Sequence, residues 1–420
     1  MSKSTMQSML RALLKVSIGS AGYVVTGFAA NVIAANTLGA NAFGVFSLAI
    51  SLLNVLQEVC GSGIDLAMVR IAAGYLPEDR VRAEMVFKAA FRVKILITLV
   101  LSGALYALAD TIALAVFKEP ALGRPLEWAS VGLIGFALMN YQLARLQAEE
   151  RFTAYAFLKA AANAAKVAAL LALWQLDGIS LDAVAMAWML TFFVSYLAGM
   201  PLFAWPSRRI SGRPSRHDFS ELFKFARWII ASHFLFTLYS RVDAFLLGRY
   251  WGSYEIGVYS VAWNLSFVID LLTYSVITTL LPRAARLTTD REKSAHLKTT
   301  VLLCTGLAVT LSPLFFLIDF ILAVLFPDFA GSAEPFRILL IGGLVTLIVH
   351  PLYLILYSSN RAEILTAIDF FLVLFSFCLG LYLVPRYGIN GAAYTTMAGR
   401  IFGSALIAFF VGRQIVSGKN

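Results

Sequence analysis

Apolar runs long enough to cross a lipid bilayer recur along the whole 420-residue chain, and only short charged or Pro/Gly-containing breaks separate them. A membrane-spanning helix needs about 20 predominantly apolar residues. The runs fall at 13–36, 43–66, 93–117, 127–147, 153–175, 182–205, 225–249, 256–281, 299–326, 335–358, 362–384 and 390–412. In hydrocarbon every backbone N–H and C=O must be satisfied internally, which at this segment length means α-helix. The expected fold is therefore an all-α integral membrane protein of about 12 transmembrane helices. Composition agrees: 60% of residues are hydrophobic, only 14% are charged, and the mean hydropathy is +0.78. A soluble domain is about 45–50% apolar and about 25% charged. The excess cannot be hidden in one core. A soluble enzyme, a disordered chain and a secreted disulfide scaffold are thus excluded. The run after Lys3, Arg11 and Lys15 is too long for a signal-peptide core, so the first helix is expected to be retained.

The net charge of +10 comes from 34 Lys+Arg against 24 Asp+Glu. In a membrane protein this excess reports topology, because Lys and Arg collect on cytoplasmic connections near anionic lipid heads. No nucleic-acid partner is implied. Counted on alternate connections, 26 basic residues lie on one side and 5 on the other. The richer side includes the N-terminal segment, a 67–94 loop, Arg145, Arg151 and the 206–224 segment. That places both termini in the cytoplasm.

The chain repeats itself. Residues 38–52 read LGANAFGVFSLAISL and residues 251–265 read WGSYEIGVYSVAWNL, with six of fifteen positions identical at an offset of 213. Gly39/Gly252, Gly44/Gly257 and Ser47/Ser260 are among them, and Arg70 pairs with Arg283 at the same offset. A weaker echo pairs Gly178-Ile179 with Gly388-Ile389. The expected organisation is an N-terminal six-helix lobe (1–205), a basic cytoplasmic linker (206–224) and a C-terminal six-helix lobe (225–420). An even number of helices per lobe makes the two parallel repeats, an architecture that transporters use.

Motifs for chemistry are missing. The sequence has no phosphate-binding loop ending in Gly-Lys-Ser/Thr, no His-Glu-x-x-His and no Cys-x-x-Cys. Cys60, Cys304 and Cys378 sit in apolar stretches and read as small buried hydrophobes, with no metal site and no cofactor implied. Charges inside spans carry the functional signal instead, since each costs a few kcal/mol in hydrocarbon unless it faces a cavity or a partner. Lys159, Asn163 and Lys166 lie at i, i+4 and i+7, one polar stripe on an Ala/Leu-rich helix. Lys166, Arg241, Arg400, Lys159 and Asn163 are the candidate ligands for an anionic substrate. Arg241 and Asp243 project about 200° apart on a helix and need separate partners. Glu58 and Asp65, seven apart, are candidates with Asp243 and Asp270 for binding a coupling H⁺ or Na⁺ or for gating. Arg400 could pair with Asp369, and the Gly399/Gly403 spacing around it reads as close helix packing. His233 reads as a packing residue. Tyr259, Trp263 and Asn264 could contact sugars, and packing or an interfacial aromatic belt accounts for them equally well.

The stretches TLGANAFGVFSLAIS, SRVDAFLLGRYWGSYEIGVYSVAWNLS, LPRAARL and PRYGINGAAYTTMAGRI span both halves. They resemble the Wzx-type oligosaccharide flippases of bacterial polysaccharide export, in the multidrug/oligosaccharidyl-lipid/polysaccharide exporter superfamily. The resemblance implies a two-lobed, MATE-like bundle with a central cavity lined by helices 1, 2, 7 and 8. It implies an undecaprenyl-pyrophosphate-linked oligosaccharide moved to the periplasmic leaflet of the bacterial inner membrane by alternating access, for O-antigen or exopolysaccharide synthesis. Membrane lipids, H⁺ or Na⁺ and the polysaccharide polymerase are the implied partners. The dense arginine set of the lipid II branch in its first two helices, and the acidic first span of the multidrug branch, are both missing here. The rivals are an ion-coupled multidrug antiporter and a membrane-embedded glycan polymerase or ligase. The polymerase would show a large periplasmic loop with paired arginines, and the sequence has none.

Overall fold

In the computed structural model the backbone is described for residues 3–203, 212–284, 290–352 and 362–417, and side chains for 24–202, 212–277, 298–352 and 368–412. Arg208, Arg209, Arg286, Arg361 and Lys419 lie outside the described residues, as do the side chains of Arg283, Arg291 and Lys293. Wherever they are described, the twelve expected segments fall on helices, several of them bent. The helices are α1 Lys3–Gln57, α2 Gly63–Tyr75, α3 Arg80–Thr111, α4 Gly123–Ala148, α5 Phe152–Gln175, α6 Leu181–Phe203 and α7 Arg216–Tyr239. They continue with α8 Val242–Tyr250, α9 Ser253–Ala284, α10 Asp290–Leu311, α11 Leu314–Leu325, α12 Ala333–Val349 and α13 Ala362–Ser417.

Seven helical runs among the described residues are long and apolar enough to cross a membrane, and up to nine if each of two bent pairs is one span. The bends are 45° between α7 and α8 and 47° between α10 and α11. Two of the runs, Val24–Tyr75 and Ile368–Gly412, have 52 and 45 residues, about twice what one crossing needs. The backbone breaks inside both, at Gly39 (φ 71) and Gly388 (φ 54). Positive φ is accessible to glycine at little cost and strains other residues. Gly252, the repeat partner of Gly39, also has positive φ (128) and separates α8 from α9. The repeated sequence therefore encodes a repeated helix break.

The chain divides into two compact units, residues 1–237 and 238–420. In the first, α1 packs on α5, α4 on α6 and α3 on α4. Gly132 lets α4 approach α6 so closely that a Cβ there would lie 2.4 Å from Met189 Sδ. The start of α7 belongs to this unit, because Leu222 and Ala226 join a core with Ile64, Met68, Ala72, Phe87 and Ala144. In the second unit α13 packs on α12 and α8, and α9 on α12. Large side chains on the outer faces are apolar and exposed, among them Leu96, Val100, Phe316 and Phe320, as lipid contact requires. α4 does not pass as a span on hydropathy, since it carries Gln142 and Arg145 on a helix whose surface is mostly buried in the unit.

Three expectations need correction. The 67–94 stretch is not a loop: α2 continues to Tyr75 and α3 begins at Arg80, capped by Asp79, whose side chain accepts from the Arg82 amide at 2.9 Å. Lys94 and Arg145, counted as cytoplasmic surface charges, are 3% and 6% exposed. Cys378 is exposed, whereas Cys60 and Cys304 are buried as expected.

Candidate functional site

The intramembrane charges of the first unit cluster near a π-helical turn, Glu58–Ser62, between α1 and α2. Such turns insert a residue and recur at functional positions. The extra residue also breaks the i, i+7 face predicted for Glu58 and Asp65, and they take different partners. Glu58 Oε2 lies 3.5 Å from His233 Nδ1 on α7, with the two side chains 29% and 48% exposed. Asp65 accepts from Lys94 Nζ at 2.7 and 2.5 Å. His233 thus faces a carboxylate, where the sequence suggested plain packing. Near the ends of α3 and α4, Arg145 donates to both oxygens of Glu84 (3.2 and 2.8 Å) and to Glu149 (3.0 Å), with the Phe87 ring beneath it. This buried fork holds α3 on α4 and was not legible as a pair.

Of the α5 stripe, Asn163 and Lys166 are buried and Lys159 is partly exposed with its ammonium 5.8 Å from the Tyr155 ring centre. The Lys166 ammonium donates to Asn163 Oδ1 at 3.2 Å and faces the rings of Trp188 and Phe192 on α6. It points into the unit rather than onto a surface.

In the second unit Arg241 and Asp243 make no contact-distance ion pair, although each lies in the other's field; Arg241 has non-helical φ/ψ before α8, so the 200° helical separation does not describe them. Arg241 stands in the break between α7 and α8 with its guanidinium 4.1 Å from the Trp263 ring centre. No described carboxylate forms an ion pair with it. Asp243 is 3% exposed. Its Oδ1 accepts from the Ala244 amide (2.7 Å), and its Oδ2 accepts from the hydroxyls of Tyr259 and Thr396. Tyr259 is itself buried, so it is not offered to a sugar. Arg400 pairs with Asp270, Nη2 to Oδ2 at 2.8 Å. That replaces the expected pairing with Asp369. Arg400 Nη1 is buried with no hydrogen-bond partner. Gly399 and Gly403 meet Tyr239 and Leu372 closely, so the packing reading of that pair holds.

Chemically these residues offer the Arg241 guanidinium beside an aromatic face and four carboxylate-centred pairs, Glu58–His233, Asp65–Lys94, Glu84–Arg145 and Asp270–Arg400. Among the described residues no group of three or more His, Cys, Asp or Glu side chains could hold a metal ion.

The family model described as "Polysaccharide biosynthesis protein" matches residues 33–331. The chain belongs to that family. A relative of this chain is a probable low-salt glycan biosynthesis flippase of Haloferax volcanii. The two are 24% identical over 226 residues, 52% of this chain and 48% of the relative, so the match spans about half of either protein. Among solved structures, a lipid II flippase in an inward closed conformation superposes with a TM-score of 0.79 at 16% identity, covering 94% of this chain and 87% of that one. An inward-facing multidrug resistance MATE family transporter of the MOP superfamily gives 0.80 at 12% identity, covering 97% and 99%. The fold of this family member is thus the multi-pass helical fold of those two solved transport proteins.

Proposed function

We propose that the chain is a flippase that moves an undecaprenyl-pyrophosphate-linked oligosaccharide from the cytoplasmic to the periplasmic leaflet of a bacterial inner membrane by alternating access. It acts as two six-helix lobes with both termini inside, as the 24 to 5 distribution of basic residues left after setting aside the buried Lys94 and Arg145 supports. No bond is made or broken and no cofactor takes part. The family and the half-length glycan flippase relative support this cargo.

The observation that carries the reading is Arg241. A guanidinium at a helix break stacks on Trp263 and makes no contact-distance ion pair with a described carboxylate; the negative charge that acts on it is the Asp243 carboxylate, whose oxygens are taken up by Ala244, Tyr259 and Thr396. Removing a charge from water costs several kcal/mol unless a partner offsets it. A planar guanidinium matches two phosphate oxygens at once, and a pyrophosphate is the anion the cargo presents. Arg400, paired to Asp270, is the second donor only in a conformation of the transport cycle that uncovers its buried Nη1. Lys159, partly exposed on α5 of the first unit, is a separate candidate contact for an anionic head group. Glu58 with His233 forms the ion-responsive pair through which a proton or sodium gradient acts. Complementation of a strain lacking the gene tests the reading: wild type restores surface polysaccharide and Arg241→Gln does not. Changed drug susceptibility with unchanged polysaccharide would favour an ion-coupled drug antiporter instead.

A further inference from the structure

Lys166 is 7% exposed in the interior of the first unit. Its ammonium lies 4.7 Å from the centre of Trp188 and 4.9 Å from that of Phe192, with Asn163 Oδ1 at 3.2 Å. An ammonium over ring faces is attracted by their quadrupoles, most strongly when desolvated. The walls are themselves held. Trp188 meets Phe46 edge-on at 5.1 Å, and Phe192 meets Phe136 edge-on at 5.4 Å. Asn163 is pressed against Gly27, where a Cβ would lie 2.8 Å from its Nδ2. Helices α1, α4, α5 and α6 therefore all contribute to one aromatic and amide box around a single positive charge. Among the described residues no carboxylate forms an ion pair with that charge.

The box is not something the architecture demands. Aligning the two halves on Gly178-Ile179 and Gly388-Ile389 places Ser376 opposite Lys166, Ala398 opposite Trp188 and Phe402 opposite Phe192. Phe402 there simply stacks on Phe375 at 4.4 Å. At these three aligned positions the second unit carries neither the lysine nor the Trp of the box.

We propose that the first unit contains a binding site for a small monovalent ammonium-type cation, and that this chain fills it with its own Lys166. The tethered ammonium supplies at fixed stoichiometry what an ion from solution would otherwise supply. It pins α5 to α6 by charge rather than by shape. Deleting the side chain leaves a site that selects a free alkylammonium ion over sodium and over a neutral molecule of equal size.

The test uses the full-length purified protein in detergent and reads thermal unfolding, so neither measurement depends on what the protein transports. Lys166→Ala is expected to melt several degrees below wild type. n-Propylammonium chloride is expected to raise that Tm in a saturable way, with sodium chloride and 1-propanol without effect and wild type unmoved. Equal responses to propylammonium and sodium, or none to either, would overturn the proposal. Lys166→Met keeps the bulk and removes the charge, and it decides the matter if the alanine variant does not fold. A Met variant less stable than wild type supports the ammonium site. A Met variant as stable as wild type or more so would show that the box is ordinary apolar packing.

Discussion

Lys94 on α3 and Asp65 on α2 are joined by two contacts, 2.7 and 2.5 Å from Nζ to the carboxylate oxygens, with the lysine side chain 3% exposed. Breaking such a pair from one side strands a buried charge, which costs about 3–5 kcal/mol, whereas replacing both partners is often near neutral. Lys94→Met alone is expected to lower thermal stability and membrane yield sharply. Asp65→Asn with Lys94→Met should recover most of the loss. The four proteins of this cycle, melted in detergent, check it, and additive losses would show that the two residues do not act as a pair.

Arg241 and Trp263 should separate in effect. Arg241→Gln is expected to reduce glycan export at least tenfold at unchanged protein level, and Arg241→Lys to restore part of it, because an ammonium keeps the charge and loses the fork. Trp263→Leu removes a cation–π contact of about 0.5–2 kcal/mol and should weaken export only severalfold. Quantified surface polysaccharide against immunoblotted protein measures both.

Glu58 and His233, 3.5 Å apart, are proposed as the ion-responsive pair. With Glu58→Gln or His233→Gln, transport in vesicles is expected to lose its acceleration by an imposed ion gradient while the gradient-free rate is retained. An unchanged response in both variants would remove the pair from the coupling role.

The Asp243 carboxylate ties α8 to α9 and α13 through Tyr259 and Thr396. Tyr259→Phe leaves a buried acceptor short of a donor, at a cost of about 1–3 kcal/mol. Asp243→Ala is expected to destabilise more than Thr396→Val. Detergent melts of the three variants give the order directly.

These pairs show how far the sequence reaches. Gly39 and Gly252 were legible because a repeat that keeps a glycine marks a backbone need, and both have positive φ. Arg241 and Asp243 stood out because a charge in an apolar run has no neutral explanation, but the helix break at Arg241 was not legible, and it removes the helical-spacing argument for the pair. Lys94 and Arg145 were misread for the converse reason. A basic residue near the end of an apolar run looks like a topology signal whether it meets water or a buried carboxylate, and Asp65 and Glu84 are 29 and 61 residues away. The Asp243–Thr396 contact spans 153 residues, and the Lys166 box draws on four helices. Side-chain convergence of that kind depends on helix rotation, which hydropathy periodicity along lipid-facing segments barely encodes.

The most direct test is a scrambling assay with purified protein in vesicles holding a fluorescent pyrophosphate-linked oligosaccharide lipid. Wild type should make the inner-leaflet head groups accessible to an impermeant glycosidase well above the rate of empty vesicles, and folded Arg241→Gln should not. Wild-type vesicles no faster than empty ones, or an Arg241→Gln protein as fast as wild type, would contradict the account.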